Sequence, residues 1–184
     1  MSEKEKMLLG ELYNANNDKE LLQERYVAKD ICYEYNNIKP SNINEREKHL
    51  RSLFAKTGNN VIIEPNFWCD YGYNIYVGDN FYMNHNCIIL DCAKVTFGDN
   101  VFVGPNCSFY TACHPTDVKL RREGLEYAKP INIGSNVWIG GNVTILAGVT
   151  VGDNVTIGAG SVVTKDIGDN VVVAGNPCRI IRKL

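Results

Sequence analysis

The sequence predicts a mainly β chain: a parallel β-helix of hexapeptide repeats, with a helical segment at the N-terminus and one extruded loop. Three observations predict it. An aliphatic residue recurs at every sixth position in the second half of the chain, Gly-Asp-Asn triplets mark corners between the recurrences, and the first 57 residues have a different, helix-like texture. An amphipathic helix cannot hold a six-residue period, since 3.6 residues per turn would carry the column around its cylinder. One long strand of period two is broken by the Gly-Asp-Asn corners. Short strand, corner, short strand fits.

Residues 1–57 read as helical. Asn17 or Asp18 is placed to cap a segment whose Leu21, Leu22, Val27, Ile31 and Tyr35 make one apolar stripe. Pro40 blocks its continuation. Asn42, with Glu45 three residues later, has the form of a capping box opening a helix that carries Leu50, Leu53 and Phe54 and stops at Gly58. The charged residues on the remaining faces read as solvated surface.

From residue 61 the repeats take over. One column runs Ile133, Ile139, Ile145, Val151, Ile157 and Val163; a second, four residues later each time, runs Val137, Val143, Val149, Val155, Ser161 and Ile167. Phe97, Val103 and Phe109 keep the frame upstream, and Val77, Met83 and Ile89 continue it after a shift at Asp91–Cys92, where a bulged corner is expected. Gly-Asp-Asn stands at 78–80, 98–100, 152–154 and 168–170, with Gly-Ser-Asn at 134–136; these residue types tolerate the positive φ of tight corners. Gly98, Gly134 and Gly152 are separated by 36 and 18 residues, so three hexads make one coil, and successive coils stack about 4.8 Å apart. Carried through 113–131, the frame would turn Pro115, Arg121 and Tyr127 inward, so this segment is expected to leave the wall as a loop. The division is therefore 1–57 for the helical segment and 58–184 for the β-helix with its basic tail.

With 184 residues the chain is long enough for one domain. Nineteen basic and 21 acidic side chains leave a charge of −2, too balanced for a nucleic-acid surface. The N-terminus lacks a signal-peptide apolar region and no apolar run approaches the roughly 20 residues of a membrane span, so the expected setting is cytoplasmic, without membrane or nucleic-acid partners. Seven cysteines form no CxxC pair and read as small buried hydrophobes; Cys69 and Cys87, 18 residues apart, are expected to stack in adjacent coils as free thiols.

Three histidines, His49, His85 and His114, are too few for a three-histidine zinc site when His49 lies in the helical segment; no metal is expected. His114 opens the loop in Cys113-His114-Pro115-Thr116-Asp117. Its position by itself fits an exposed histidine with a structural hydrogen bond better than a general base, although neutral imidazole does accept a proton at cellular pH. Thr164, Lys165, Arg179, Arg182 and Lys183 gather at the far end, either a solvated terminus or a receiver for a phosphorylated ligand. Trp138, outward beside Ile139, fits a ligand cover or a subunit contact.

Several blocks carry a resemblance: Cys69-Asp70-Tyr71-Gly72-Tyr73-Asn74-Ile75, Tyr110-Thr111-Ala112-Cys113-His114-Pro115, Gly124-Leu125-Glu126-Tyr127, Asn136-Val137-Trp138-Ile139-Gly140-Gly141 and Ala174-Gly175-Asn176-Pro177-Cys178-Arg179. With the helical segment, the loop and the basic tail in this order, the whole chain resembles the maltose and galactoside O-acetyltransferases of the hexapeptide-repeat superfamily. The resemblance implies a left-handed β-helix, a homotrimer with active sites between subunits, and direct transfer of acetyl from acetyl-CoA to a sugar hydroxyl. It makes His114 the general base and puts Asn84 beside the acetyl group and acceptor. Asp70, Tyr82 and Asp91 match or adjoin acceptor-pocket positions, and Glu126 either reaches the acceptor or orients the His114 ring. Gly141, Ala159, Thr164, Lys165, Arg179 and Arg182 match the CoA cleft, joined by Trp138; Gly141 could also offer an N–H to the oxyanion. The chain departs at Asn14-Ala15-Asn16-Asn17, where some relatives have an aspartate, and at Cys92, where the galactoside enzyme has a second aspartate. Two alternatives stand beside this reading: a non-catalytic trimeric scaffold or ligand-binding module, and an acetyltransferase for a non-sugar hydroxyl.

Overall fold

The computed structural model describes residues 1–184. Helix α1 (Glu3–Leu9) opens with a capping box between Ser2 and Glu5 and ends at Gly10, whose φ is 73°. Asp18 is the cap of α2 (Lys19–Asn37), accepting the Leu21 N–H at 2.9 Å. The buried stripe of α2 is Leu21, Ala28, Cys32 and Tyr35, not the expected Leu22 and Val27, because a 3.6-residue period returns Ala28 and Cys32 to the Leu21 face. In α3 (Ile43–Leu53) the Asn42 side chain caps no backbone N–H and meets the Glu45 carboxylate instead. This helix ends short of Gly58 because the backbone finds sheet partners: Ala55 N–H donates to Ile75 C=O, and β1 (Lys56–Thr57) pairs with β4 (Ile75–Val77).

Three parallel sheets form the walls of the coil. The first stacks β1, β4, β7 (Val95–Phe97), β12 (Ile131–Ile133) and β15 (Thr150–Val151). The second stacks β2 (Ile62–Ile63), β5 (Tyr82–Met83), β8 (Phe102–Val103), β13 (Trp138–Ile139), β16 (Val155–Ile157) and β18 (Val171–Ala174), closed by antiparallel β19 (Arg179–Lys183). The third stacks β3 (Phe67–Cys69), β6 (Cys87–Leu90), β9 (Ser108–Tyr110), β14 (Thr144–Ile145) and β17 (Val162–Val163). Both sequence columns point inward and are buried along their whole length, Ser161 included. Each fully buried aliphatic contributes about 1.5–3 kcal/mol, and since all seven thiols are free, this column, not a cross-link, holds the coil together.

Corner bonds record the step of the coil: 20 residues from Asn59 to Asp79, 36 across the loop from Asp99 to Ser135, and 18 from Ser135 to Asp153. The longer early step comes from the enlarged corners at 70–74 and 91–94. It also overturns the expected Cys69–Cys87 stacking, because Cys69 lies beside Ile89 while Phe67 lies beside Cys87. Cys69 faces Cys32 of α2 instead, sulfur to sulfur 3.7 Å. At one corner Asn60, Asn80, Asn100, Asn136, Asn154 and Asn170 all adopt positive φ, and each amide donates to the next at 2.9–3.1 Å.

Both ends of the solenoid are covered, which removes open sheet edges. Helices α2 and α3 close the first coil: Phe54 meets Phe67 edge-on at 5.7 Å, and Arg46 reaches the Ile63 carbonyl and Glu64. The β18–β19 hairpin closes the last. The chain leaves the wall after β9. β10 (Ala112–Cys113) and β11 (Tyr127–Ala128) form an antiparallel neck, and α4 (Val118–Arg122), capped by Asp117, forms the tip. Ile131 is already back in register beside Val95, so the excursion closes just before it.

Candidate active site

The loop neck is seated by a small apolar cluster of Met7, Tyr13, Ala15, Leu21, Tyr71, Cys92 and Ala128, which joins α1, α2, the 70–74 corner and β11. On this base His114 is exposed, its Nδ1 3.2 Å from the Leu125 carbonyl. A carbonyl only accepts, so Nδ1 carries a hydrogen, and in the neutral ring Nε2 then presents a lone pair. The carboxylate of Glu126 forms no hydrogen bond or ion pair with the imidazole: it accepts the Tyr13 hydroxyl at 3.2 Å, in a largely buried setting.

Asp70 projects beside this group. The Cys92 thiol lies 3.5 Å from its Oδ2, and burial raises the Asp70 carboxyl above the usual carboxylate range, opposed by the Cys92 contact and the charges of Arg25 and Lys29. Asp91, expected among the acceptor-facing groups, is fully buried and turned away from solvent. Its Oδ1 accepts the N–H groups of Asp70 at 3.0 Å and Tyr71 at 2.8 Å, its Oδ2 accepts that of Asn74 at 3.3 Å, and its carbonyl accepts the Asn74 amide at 2.7 Å. Asp91 therefore builds the corner that carries Asp70 and leaves no oxygen facing a ligand. Burial, the largest influence, pushes its carboxyl up to about 7, while the Tyr71 and Asn74 N–H bonds pull down.

Tyr82 lies in β5 of the second sheet and Asn84 directly follows that strand, its Oδ1 accepting the His85 N–H, and no hydrogen bond joins either residue to His114. Along the outer side of that sheet Ile62, Tyr82, Phe102, Trp138, Thr156 and Val172 share one register line, with Ile62, Phe102 and Trp138 exposed. Beyond this line, corners 141 and 159 lie one above the other: Gly141 C=O accepts Gly160 N–H, whereas the N–H groups of Gly141 and Ala159 have no acceptor in the chain. Thr164, Lys165, Arg179 and Arg182 are exposed at the last coil and hairpin, their side chains free of ion pairs. A concavity of about 500 Å³ between α3 and the first coil contains none of these groups. No group of three or more His, Cys, Asp or Glu side chains converges on one point, and no helix is long and apolar enough to cross a membrane.

Neither Tyr13 nor the Leu125 carbonyl has a role that the sequence alone assigns. No local signal could have found them, since the Tyr13–Glu126 contact spans 113 residues and a backbone carbonyl has no residue signature.

Comparison with known proteins meets this geometry at both ends of the chain. Residues 6–58 match the maltose acetyltransferase hexapeptide capping motif, and residues 130–165 match the bacterial transferase hexapeptide repeat. A solved maltose O-acetyltransferase from Clostridium difficile is 53% identical, covers 100% of this chain and 98% of its own, and superposes with a TM-score of 0.98. The chain belongs to the hexapeptide-repeat acetyltransferases. It is an acyltransferase, and its coil is the left-handed β-helix of that family. A galactoside acetyltransferase in complex with coenzyme A is 45% identical, with 100% and 91% coverage and a TM-score of 0.95. A Vibrio cholerae hexapeptide-repeat acetyltransferase complexed with acetyl coenzyme A is 39% identical, with 100% and 99% coverage and a TM-score of 0.90. A Saccharomyces cerevisiae relative, named only provisionally as an acetyltransferase, is 55% identical over 98% of this chain and 92% of its own.

Proposed function

We propose that this acetyltransferase takes acetyl-CoA as donor and passes the acetyl group directly to a hydroxyl of a maltose-, glucoside- or galactoside-like sugar, with His114 as general base. The observation that carries the reading is the Nδ1–H bond to Leu125, which leaves Nε2 as the free base. Nε2 removes the acceptor proton as the hydroxyl oxygen attacks the thioester carbonyl. The tetrahedral intermediate collapses, the C–S bond breaks, and the proton on His114 passes to the departing CoA sulfur. No acetyl-enzyme forms.

Asp70 and Glu126 suit the acceptor because each carboxylate can take two donors, the pattern a sugar presents; Tyr82 and Asn84 complete that pocket. The unpaired N–H groups of Gly141 and Ala159 suit the carbonyl-rich pantetheine arm, and Gly141 suits the oxyanion. Thr164, Lys165, Arg179 and Arg182 meet the CoA phosphates, with Trp138 over the cleft. The donor assignment is supported by the relatives that hold coenzyme A and acetyl coenzyme A.

The exposed Ile62, Phe102 and Trp138 line supports a homotrimer, since a contiguous apolar strip of this kind is usually an interface. In it, the second sheet of one subunit brings Tyr82 and Asn84 to the His114 loop of the next. Seven free thiols favour the cytoplasm.

The test is release of CoA thiol from acetyl-CoA against glucosides, galactosides, maltose, amino acids and hydroxylated antibiotics, with an enzyme-only blank for the protein's own thiols. Sugar-dependent release that falls by about 10²–10⁴ in His114→Ala is the expected result. Release with a non-sugar acceptor alone would overturn the acceptor class, and an unchanged rate in His114→Ala would overturn the base.

A further inference from the structure

We infer that the segment linking α1 to α2 is a positioning device for His114: Tyr13 and Asn14 hold the peptide whose carbonyl orients the imidazole. The inference rests on the reading of His114 as the base. The ring has one hydrogen bond to the rest of the chain, from Nδ1 to Leu125 C=O. Leu125 follows Gly124, whose φ is 77°, and precedes Glu126, so the aim of its carbonyl depends on what fixes the residues on either side.

Both sides are fixed by the same distant segment. Glu126 N–H donates to Tyr13 C=O, and Tyr13 N–H donates to Glu126 C=O, each at 2.9 Å. The Tyr13 hydroxyl then donates to the Glu126 carboxylate at 3.2 Å. On the other flank, Asn14 Nδ2 donates to Glu123 C=O at 3.0 Å. The clamp is itself anchored. Tyr13 is fully buried, Asn14 N–H donates to Glu3 of α1 at 2.5 Å, and Asn14 Oδ1 accepts Asn17 N–H at 3.2 Å. Within the loop, the backbone holds Leu125 only through its N–H bond to Leu120 C=O at 3.2 Å, and α4 is exposed throughout or nearly so. The N-terminal segment therefore does more than cover the coil: it sets which imidazole nitrogen is free and where it points.

A base that turns or changes tautomer stops being one. Wrong-tautomer histidines lose orders of magnitude in rate with geometry otherwise intact, and small displacements act similarly. Tyr13→Phe removes one hydroxyl and keeps the ring and both backbone bonds; adding Asn14→Ala removes the second tether. With the acceptor identified by thiol release, the double variant should lose about tenfold in kcat while KM for acetyl-CoA stays unchanged. In parallel, 15N NMR of histidine-labelled protein, assigned with His114→Ala, should show the His114 Nδ1–H signature of the parent become a mixture of tautomers. The NMR arm needs no acceptor and no turnover. A folded double variant with unchanged kcat and unchanged His114 signature would overturn the inference. If the double variant fails to fold, Tyr13→Phe alone decides by the same signature, since a purely structural role would leave the tautomer untouched. An unaltered rate in His114→Ala would sink the base assignment instead, with the NMR still reporting whether the clamp holds the ring.

Discussion

Replacing Asp91 separates a corner-building carboxylate from a ligand-binding one. Three backbone N–H groups, those of Asp70, Tyr71 and Asn74, have the Asp91 carboxylate as partner, and Tyr71 and Asn74 are buried. A buried donor left without a partner costs about 1–3 kcal/mol, so Asp91→Ala should destabilise by about 2–6 kcal/mol. Against that stands the cost of keeping the carboxylate charged in a buried site. Its carboxyl is pushed from an ordinary 3.8 to about 7, and each unit corresponds to about 1.4 kcal/mol. A raised folded-state value means the folded chain holds a proton that the unfolded chain has released. The contribution is therefore complete below pH about 4 and lost as pH rises to 7, worth on the order of 4 kcal/mol across that window. Asp91→Asn cannot ionise and keeps one oxygen for Asp70 and Tyr71, giving up mainly the 3.3 Å Asn74 bond. Urea midpoints at pH 5 and 8, at fixed protein concentration, should show the parent losing stability with pH, Asp91→Asn losing clearly less between the two, and Asp91→Ala the least stable at pH 5. Equal losses in the two variants, or the parental pH slope persisting in Asp91→Asn, would refute the reasoning.

Further outcomes follow from the corners, the thiols and the cations. In Gly78→Ala the new Cβ would stand 2.3 Å from Asp99 Oδ1 and 2.6 Å from Gly98 C=O; the coils must part, and a melting temperature lowered by less than about 3 °C would contradict that packing. Asn100→Ala forfeits the amide bonds to Asn80 and Asn136 and leaves alanine at φ 56°; about 1–2 kcal/mol should be lost in denaturant melts, with Asn100→Gly recovering part of it. Native thiol titration should find Cys113 and Cys178 fast and the five buried cysteines slow, with all seven reacting after denaturation without reductant. Arg179→Ala should raise KM for acetyl-CoA about tenfold or more at unchanged kcat, and an unaltered KM would move the phosphates away from the hairpin.

What the sequence by itself determined is whatever repeats or acts locally. Periodicity is a property of adjacent residues, so the inward columns, the Gly-Asp-Asn corners, the departure of the loop and the frame shift at Asp91–Cys92 are all legible before any contact is known. Where the local reading slipped, longer-range partners prevailed. The third helix yields to strand pairing at Lys56–Thr57, and the stripe of α2 turns toward Cys69 and Ile63 of the first coil. Only the tertiary structure decided the partners of the loop. That Leu125 holds His114, that Tyr13 holds Glu126, and that Asp91 is spent on a corner all depend on segments separated by 11, 113 and about 20 residues. Hydrogen bonds to backbone atoms leave no trace in residue type, and a buried carboxylate and a pocket carboxylate are the same letter until the folded chain shows which N–H groups surround each.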